Sequence, residues 1–275
     1  QAYADGYSST NTSVSVDDGA TPVSDSYHYT QTAAGKTASV TVGQSGEVAG
    51  DAIASGNGGA TGTINGAVDG DVELTSQATN YDYQGNSDYA AGTSGYSYDY
   101  SAAGGAATGS VGATGSIGGD LIASADGGVT LSNAGKIEGD VIGNSNRSLP
   151  TSYSETYSSS SSSSPTLVES SNQEIDEYHY KQAGGAASFA NAATGQVQGD
   201  VSINALGDVT VDNKGAVFGS TDARSTGSDS DYKYTYNNSS STAIATPPAL
   251  NVTTATNETV YDYAETATGG NVTGT

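Results

Sequence analysis

The sequence predicts an all-β chain wound as a β-solenoid, and three observations carry that prediction. Gly-Asp steps recur in pairs, Gly50-Asp51 with Gly70-Asp71 and Gly119-Asp120 with Gly139-Asp140. A third pair is Gly199-Asp200 with Gly219-Ser220, where Ser replaces the final Asp, and within every pair the spacing is 20 residues. Between these steps apolar residues alternate with polar ones, the period of a half-buried strand. Helix is disfavoured, because Gly and β-branched residues abound and no apolar stripe recurs at 3.6 residues.

Each element follows from the same segments. In 119–138 (GDLIASADGGVTLSNAGKIE) and 199–218 (GDVSINALGDVTVDNKGAVF), Leu121 and Ala123 align with Val201 and Ile203. Val129 and Leu131 align with Val209 and Val211, Ile137 with Val217, and Ile117 with Val197. Three short strands and three turns then fill about 20 residues, one coil whose strands pair with their equivalents above and below. Asn133-Ala134-Gly135 and Asn213-Lys214-Gly215 fall at a turn, where Asn and Gly tolerate a left-handed backbone. A string of tandem β-sandwich domains, each roughly 75–80 residues long, is the alternative architecture.

A longer repeat is superimposed on the coils. Tyr doublets at Tyr27/Tyr29, Tyr98/Tyr100, Tyr178/Tyr180 and Tyr261/Tyr263 each open a unit and precede a run of small residues. The first tyrosines are 71, 80 and 83 residues apart, and the length variation lies after the second Gly-Asp position. Second clusters at Tyr81/Tyr83, Tyr153/Tyr157 and Tyr232/Tyr234/Tyr236 close the units. The predicted organisation is a partial repeat at 1–25 (with Tyr3 and Tyr7), units at 26–95, 96–175 and 176–259, and a partial repeat at 260–275. The intervening low-complexity stretches, including the Ser run 158–164, read as surface loops.

Composition narrows the function. Thirty Asp plus Glu against seven Lys plus Arg give a formal charge of −23, which disfavours nucleic acid and anionic lipid as partners. No stretch approaches the roughly 20 apolar residues of a membrane helix, so membrane insertion is not expected. The absence of Cys excludes disulfides and thiolate chemistry. The start at Gln1 predicts a processed N-terminus and an extracellular or cell-surface location. Sequons at Asn11, Asn146, Asn237, Asn238, Asn251, Asn257 and Asn271 are candidate glycosylation sites.

Candidate chemistry is sparse. The seven basic residues are scattered singly, and His28 and His179 occupy Tyr-His-Tyr positions that Asp99 and Asp262 fill in other units. Such interchange marks an exposed position rather than a general base, and no enzyme is expected, although a β-helix polysaccharide lyase or hydrolase is an alternative. No cofactor is expected beyond calcium, for which Asp51, Asp69, Asp71, Asp120, Asp140 and Asp200 are candidate ligands. An Asp in such a turn otherwise caps its own backbone. The tyrosine clusters are the candidate assembly interface, their rings stacking on neighbouring units or subunits.

The pattern of residues 115–144 (GSIGGDLIASADGGVTLSNAGKIEGDVIGN), and less fully of 195–219 and 46–74, resembles the passenger repeats of bacterial autotransporter and haemagglutinin-type adhesins. The resemblance spans about a third of the chain. It implies a parallel β-helix, export to the cell surface, and a role in adhesion or matrix. The tyrosine blocks that interrupt the coils depart from that pattern, and no membrane barrel accompanies the repeats in this sequence. The expected function is a structural subunit of an extracellular, self-assembling filament or surface layer. Its partner is a further copy of itself; the alternative is a cell-surface adhesin binding glycan or host protein.

Overall fold

The computed structural model describes residues 1–17, 22–88, 92–164, 167–243 and 252–275, and those residues are all-β, without helix. Three sheets are parallel and a fourth is antiparallel. The chain visits the parallel sheets in a fixed cycle, as in Ala107–Val111, Ser116–Ile117 and Leu121–Ala125, then Val129–Asn133, Lys136–Ile137 and Val141–Ser145. Strands inside the stack, such as Ala107–Val111 and Leu121–Ala125, pair in register with their equivalents one circuit earlier and one circuit later. Among the described residues six full circuits result, at 37–55, 59–76, 107–125, 129–145, 187–205 and 209–225.

After every second circuit the chain leaves this stack and forms a hairpin. The four hairpins pair Tyr7–Asp17 with Pro22–Ala33, Thr79–Asp88 with Thr93–Ala102, Arg147–Ser164 with Leu167–Ala183, and Gly227–Ala243 with Val252–Thr268. Neighbouring hairpins also pair with each other, giving one eight-stranded antiparallel sheet. The geometry explains the two-circuit period. Strands in any sheet lie ~4.8 Å apart, so two circuits advance the stack by the width of one two-stranded hairpin, and successive hairpins meet without a gap.

Apolar columns run through the stack. Val72, Leu121, Val141 and Val201 follow one another along one wall, while Val68, Ile117, Ile137 and Val197 do so along another, all buried. Volumes compensate across the interior. Leu74 sits against Gly62, where a Cβ would lie 2.9 Å from Leu74 Cδ2, and Leu131 is near both Gly109 and Gly143. Close packing of this kind tolerates little change in side-chain volume.

Several expectations meet a different physical reason. Asn133-Ala134-Gly135 and Asn213-Lys214-Gly215 do lie between strands, yet neither glycine is left-handed; positive φ occurs at Gly59, Gly92, Gly128 and Gly269. At Gly135 and Gly215 a Cβ would instead collide with carbonyl oxygens of the preceding circuit, Gly115 and Gly112 in one case and Gly195 and Ala192 in the other. The requirement is space rather than dihedral angle. The proposed unit boundaries 25/26, 95/96, 175/176 and 259/260 each fall within the second strand of a hairpin. Parallel ladders run across the units: Ala107–Val111 pairs with Gly59–Ile64 over the second hairpin, so neighbouring units share the same sheets. The Ser run 158–164 and most of the low-complexity stretches read as loops are strand, in hairpin arms as long as 18 residues.

Candidate assembly surface

The hairpin sheet brings the tyrosine clusters together. Tyr29, Tyr83, Tyr98, Tyr153, Tyr178, Tyr232 and Tyr263 stand directly opposite one another in seven adjacent strands. The next row on that face reads Tyr27, Gly85, Tyr96, Glu155, Asp176, Tyr234 and Tyr261. Tyr81 opposes Tyr100, and Tyr157 opposes Glu174, which opposes Tyr236. Alternation along each strand places these residues on one face and His28, Gln84, Ser97, Ser154, Glu177, Lys233 and Asp262 on the other. One face is aromatic and the other polar.

The rings touch. Centroids lie 4.8 Å apart for Tyr83 and Tyr98, 5.0 Å for Tyr81 and Tyr100, and 5.3 Å for both Tyr27–Tyr83 and Tyr234–Tyr261, all tilted. Tilted pairs at this range gain energy beyond their buried area. Crowding also moves the phenols. Burial, and then the neighbouring Tyr100, Tyr98, Tyr83 and Tyr27, push Tyr81 up to about 12. Tyr83, Tyr232 and Tyr234 rise for the same first reason, whereas Tyr263 rises chiefly because its hydroxyl donates to Glu265 at 3.0 Å. In the last strand Tyr261 and Tyr263 remain 64% and 66% exposed, so the face is not covered by the chain itself. Tyr180 lies on the same face opposite Ser230, and Tyr7 on the first strand; Tyr3 alone of the predicted set belongs to a parallel sheet.

The Gly-Asp steps have a different task. Asp51 Oδ1 accepts the backbone N–H of Asp71 at 3.0 Å, Asp71 that of Asp120 at 2.8 Å, and Asp120 that of Asp140 at 2.7 Å. Asp140 accepts from Asp200 at 2.7 Å and Asp200 from Ser220 at 2.6 Å. Each carboxylate therefore caps the equivalent residue of the next circuit, not its own turn. Ser220 receives the final link and passes none on among the described residues, so its loss of the carboxylate leaves this ladder complete. The glycine is explained by the same contact: a Cβ at Gly119, Gly139 or Gly199 would collide with the Asp carboxylate one circuit below. A second ladder runs along the Asn corner, where Asn133 Nδ2 donates to Asn191 Oδ1 at 3.1 Å and Asn191 Nδ2 to Asn213 Oδ1 at 2.9 Å.

Among the described residues the acidic side chains that converge closely enough to share a cation are Glu155, Glu174 and Asp176, with oxygens within 4.8 Å of one another. They sit half-buried on the tyrosine face, and the Tyr96 hydroxyl donates to Glu155. The predicted calcium ligands are not in that group; Asp69 is exposed, and Asp51, Asp71, Asp120, Asp140 and Asp200 cap the ladder. Tyr96 was legible in principle, two residues before Tyr98 and hence on its face; the acids were not, because only the hairpin register joins them.

Another pairing carried no sequence signal. Asp126, whose side chain is 2% exposed, accepts the backbone N–H groups of Ala78 and Gly104 and an Arg147 guanidinium N–H at 3.0 Å. Arg147 also donates to the Ala78 carbonyl at 2.7 Å. Together they tie the roots of two hairpins to the stack. The histidines are cross-strand partners of carboxylates, His28 with Asp82 at 3.0 Å and His179 with Asp231 at 2.7 Å. Of the sequons, Asn11, Asn237, Asn238 and Asn257 lie on hairpin strands, Asn271 precedes the last strand, and Asn251 lies outside the described residues. Asn146 is half-buried and donates its amide to the Thr226 carbonyl. No family model matches the chain, and no curated protein is significantly similar to it.

Proposed function

We propose that this chain is a structural subunit of an extracellular filament or surface layer, and that its tyrosine face is the contact between copies. In this reading the three parallel sheets are the walls of one β-solenoid, a rigid spine that displays the hairpin sheet. The resemblance to adhesin passenger repeats agrees with that architecture and with export. One observation carries the proposal: a row of seven tyrosine positions crosses seven adjacent strands, and its last member, Tyr263, is about two-thirds exposed.

A face of eight strands, ten residues deep, measures roughly 1,200 Å² per copy, above the ~800 Å² that a standard interface takes from each partner. Two such faces pack ~10 Å apart with rings interleaved. The high negative charge opposes association, so salt promotes it by screening. Electron microscopy of the purified chain at rising salt is the test. Ordered assemblies that vanish in a Tyr29→Ser, Tyr98→Ser, Tyr232→Ser variant of unchanged strand content support the proposal; monodisperse monomer under all conditions overturns it.

An adhesin reading has one observation of its own. Gly85 interrupts the second tyrosine row and leaves a cleft of about 500 Å³ bordered by Tyr27, Tyr83, Tyr96, Asp25, Ser87 and Ser94. Aromatic walls with a polar rim suit a neutral sugar ring. Binding of neutral oligosaccharides by a chain that stays monomeric would favour this reading over the first.

A further inference from the structure

We infer that the tyrosine ladder is a site of oxidative cross-linking, and that Tyr83–Tyr98 and Tyr81–Tyr100 are its preferred pairs. The first observation is compositional. The chain has 19 Tyr but no Cys, Met or Trp, so the side chains that normally intercept oxidants first are absent. One-electron oxidation of this protein therefore falls on phenols.

The second observation is geometric. Tyr83 opposes Tyr98, and Tyr81 opposes Tyr100, in directly paired antiparallel strands of one hairpin. Among the described ring pairs their centroids are the closest, at 4.8 and 5.0 Å, with planes inclined at 39° and 46°. Joining two ring carbons asks for side-chain rotation, not movement of strands that the ladder already fixes. Both pairs are half-buried rather than enclosed, so a small oxidant has access. Tyr178–Tyr232 at 5.8 Å and Tyr232–Tyr261 at 6.2 Å are the less favourable pairs.

The chemistry balances with hydrogen peroxide acting through a peroxidase-type catalyst. Each phenol gives up one electron and its hydroxyl proton, and peroxide is reduced to two waters. The two phenoxyl radicals then join at the carbons ortho to their oxygens, forming one C–C bond. The hydrogens on those carbons move to the oxygens as the rings regain aromaticity. Two tyrosines and one peroxide become one dityrosine and two waters, with a net loss of two hydrogens from the protein. Such a bond would staple the two strands of the hairpin 79–102 to each other.

The test treats the full chain, dilute enough to be monomeric, with horseradish peroxidase and hydrogen peroxide. Intact mass and dityrosine fluorescence are read, followed by cleavage at Asp88 so that only linked strands stay joined. Proximity predicts that Tyr83–Tyr98 and Tyr81–Tyr100 links exceed links between tyrosines two or more strands apart by at least about tenfold. In urea that preference disappears. Tyr98→Phe, which keeps the ring, should abolish the Tyr83–Tyr98 link and retain the Tyr81–Tyr100 link. Absence of linkage in the folded chain, or the same mixture of links folded and unfolded, overturns the inference. Because the readout is intramolecular, it is separate from whether copies associate.

Discussion

Replacing Asp71 and Gly119 singly and together tests the ladder at the point where its parts are most tightly coupled. Asp71 Oδ1 accepts the Asp120 N–H at 2.8 Å, and it occupies the place where a Cβ on Gly119 would fall. Asp71→Ala removes a hydrogen bond to a charged acceptor and strands a half-buried N–H, a cost of ~2 kcal/mol. Gly119→Ala alone forces its methyl onto that carboxylate, which costs ~2 kcal/mol or more as overpacking. With the carboxylate gone, the nearest remaining atoms are Gly70 C and O at 3.0 Å, a tight but tolerable contact. The double variant should then lose ~2–3 kcal/mol rather than the sum of ~4, a coupling of at least ~1 kcal/mol. Asp71→Asn keeps an acceptor oxygen without charge and should lose only ~1 kcal/mol. Urea unfolding of the native chain and the four variants, with hydrogen exchange at the Asp120 amide, gives the values. Strict additivity would refute the explanation of the Gly-Asp dipeptide.

The remaining predictions address other contacts. Phe189→Ala should cost ~3–5 kcal/mol in urea melts, because the ring is fully buried in the stack. Arg147→Met should cost ~3 kcal/mol and speed exchange at the roots of the second and third hairpins, since the enclosed Asp126 carboxylate loses its cation. Tyr81 has a raised pKa in the fold, so its contribution is complete below about pH 10 and is lost as pH rises through about 12. Full conversion of that shift is ~2.7 kcal/mol, and solvent screening reduces it to ~1 kcal/mol. Melts at rising alkaline pH should show the hairpin sheet loosening in that window. Chelation by EDTA should leave melting unchanged, because the Gly-Asp carboxylates are committed to backbone N–H groups.

Much of the strand pattern in the parallel sheets was legible because its physics is local in sequence. A circuit of strands that returns after 20 residues writes its period directly into Gly119, Gly139 and their partners, and inward residues such as Leu121 and Val129 stand out by alternation. The hairpin sheet was not legible in the same way. Its pairing depends on two circuits advancing the chain by one hairpin width, a relation between sheets that no window of sequence contains. Tyr-x-Tyr recurs visibly in the sequence, while the row it builds with Tyr83, Tyr98 and Tyr232 emerged only from register. Gly135 and Gly215 illustrate a further limit: sequence shows that a side chain is unwelcome, not whether dihedral strain or a neighbouring carbonyl excludes it.

The most direct test of association through the tyrosine face is sedimentation velocity on the native chain and on the Tyr29→Ser, Tyr98→Ser, Tyr232→Ser variant, across a concentration series in high salt. The native chain should shift to larger species as concentration rises while the variant, with the same strand content, sediments as a monomer throughout. Equal behaviour of the two proteins, whether both assemble or neither does, would contradict it.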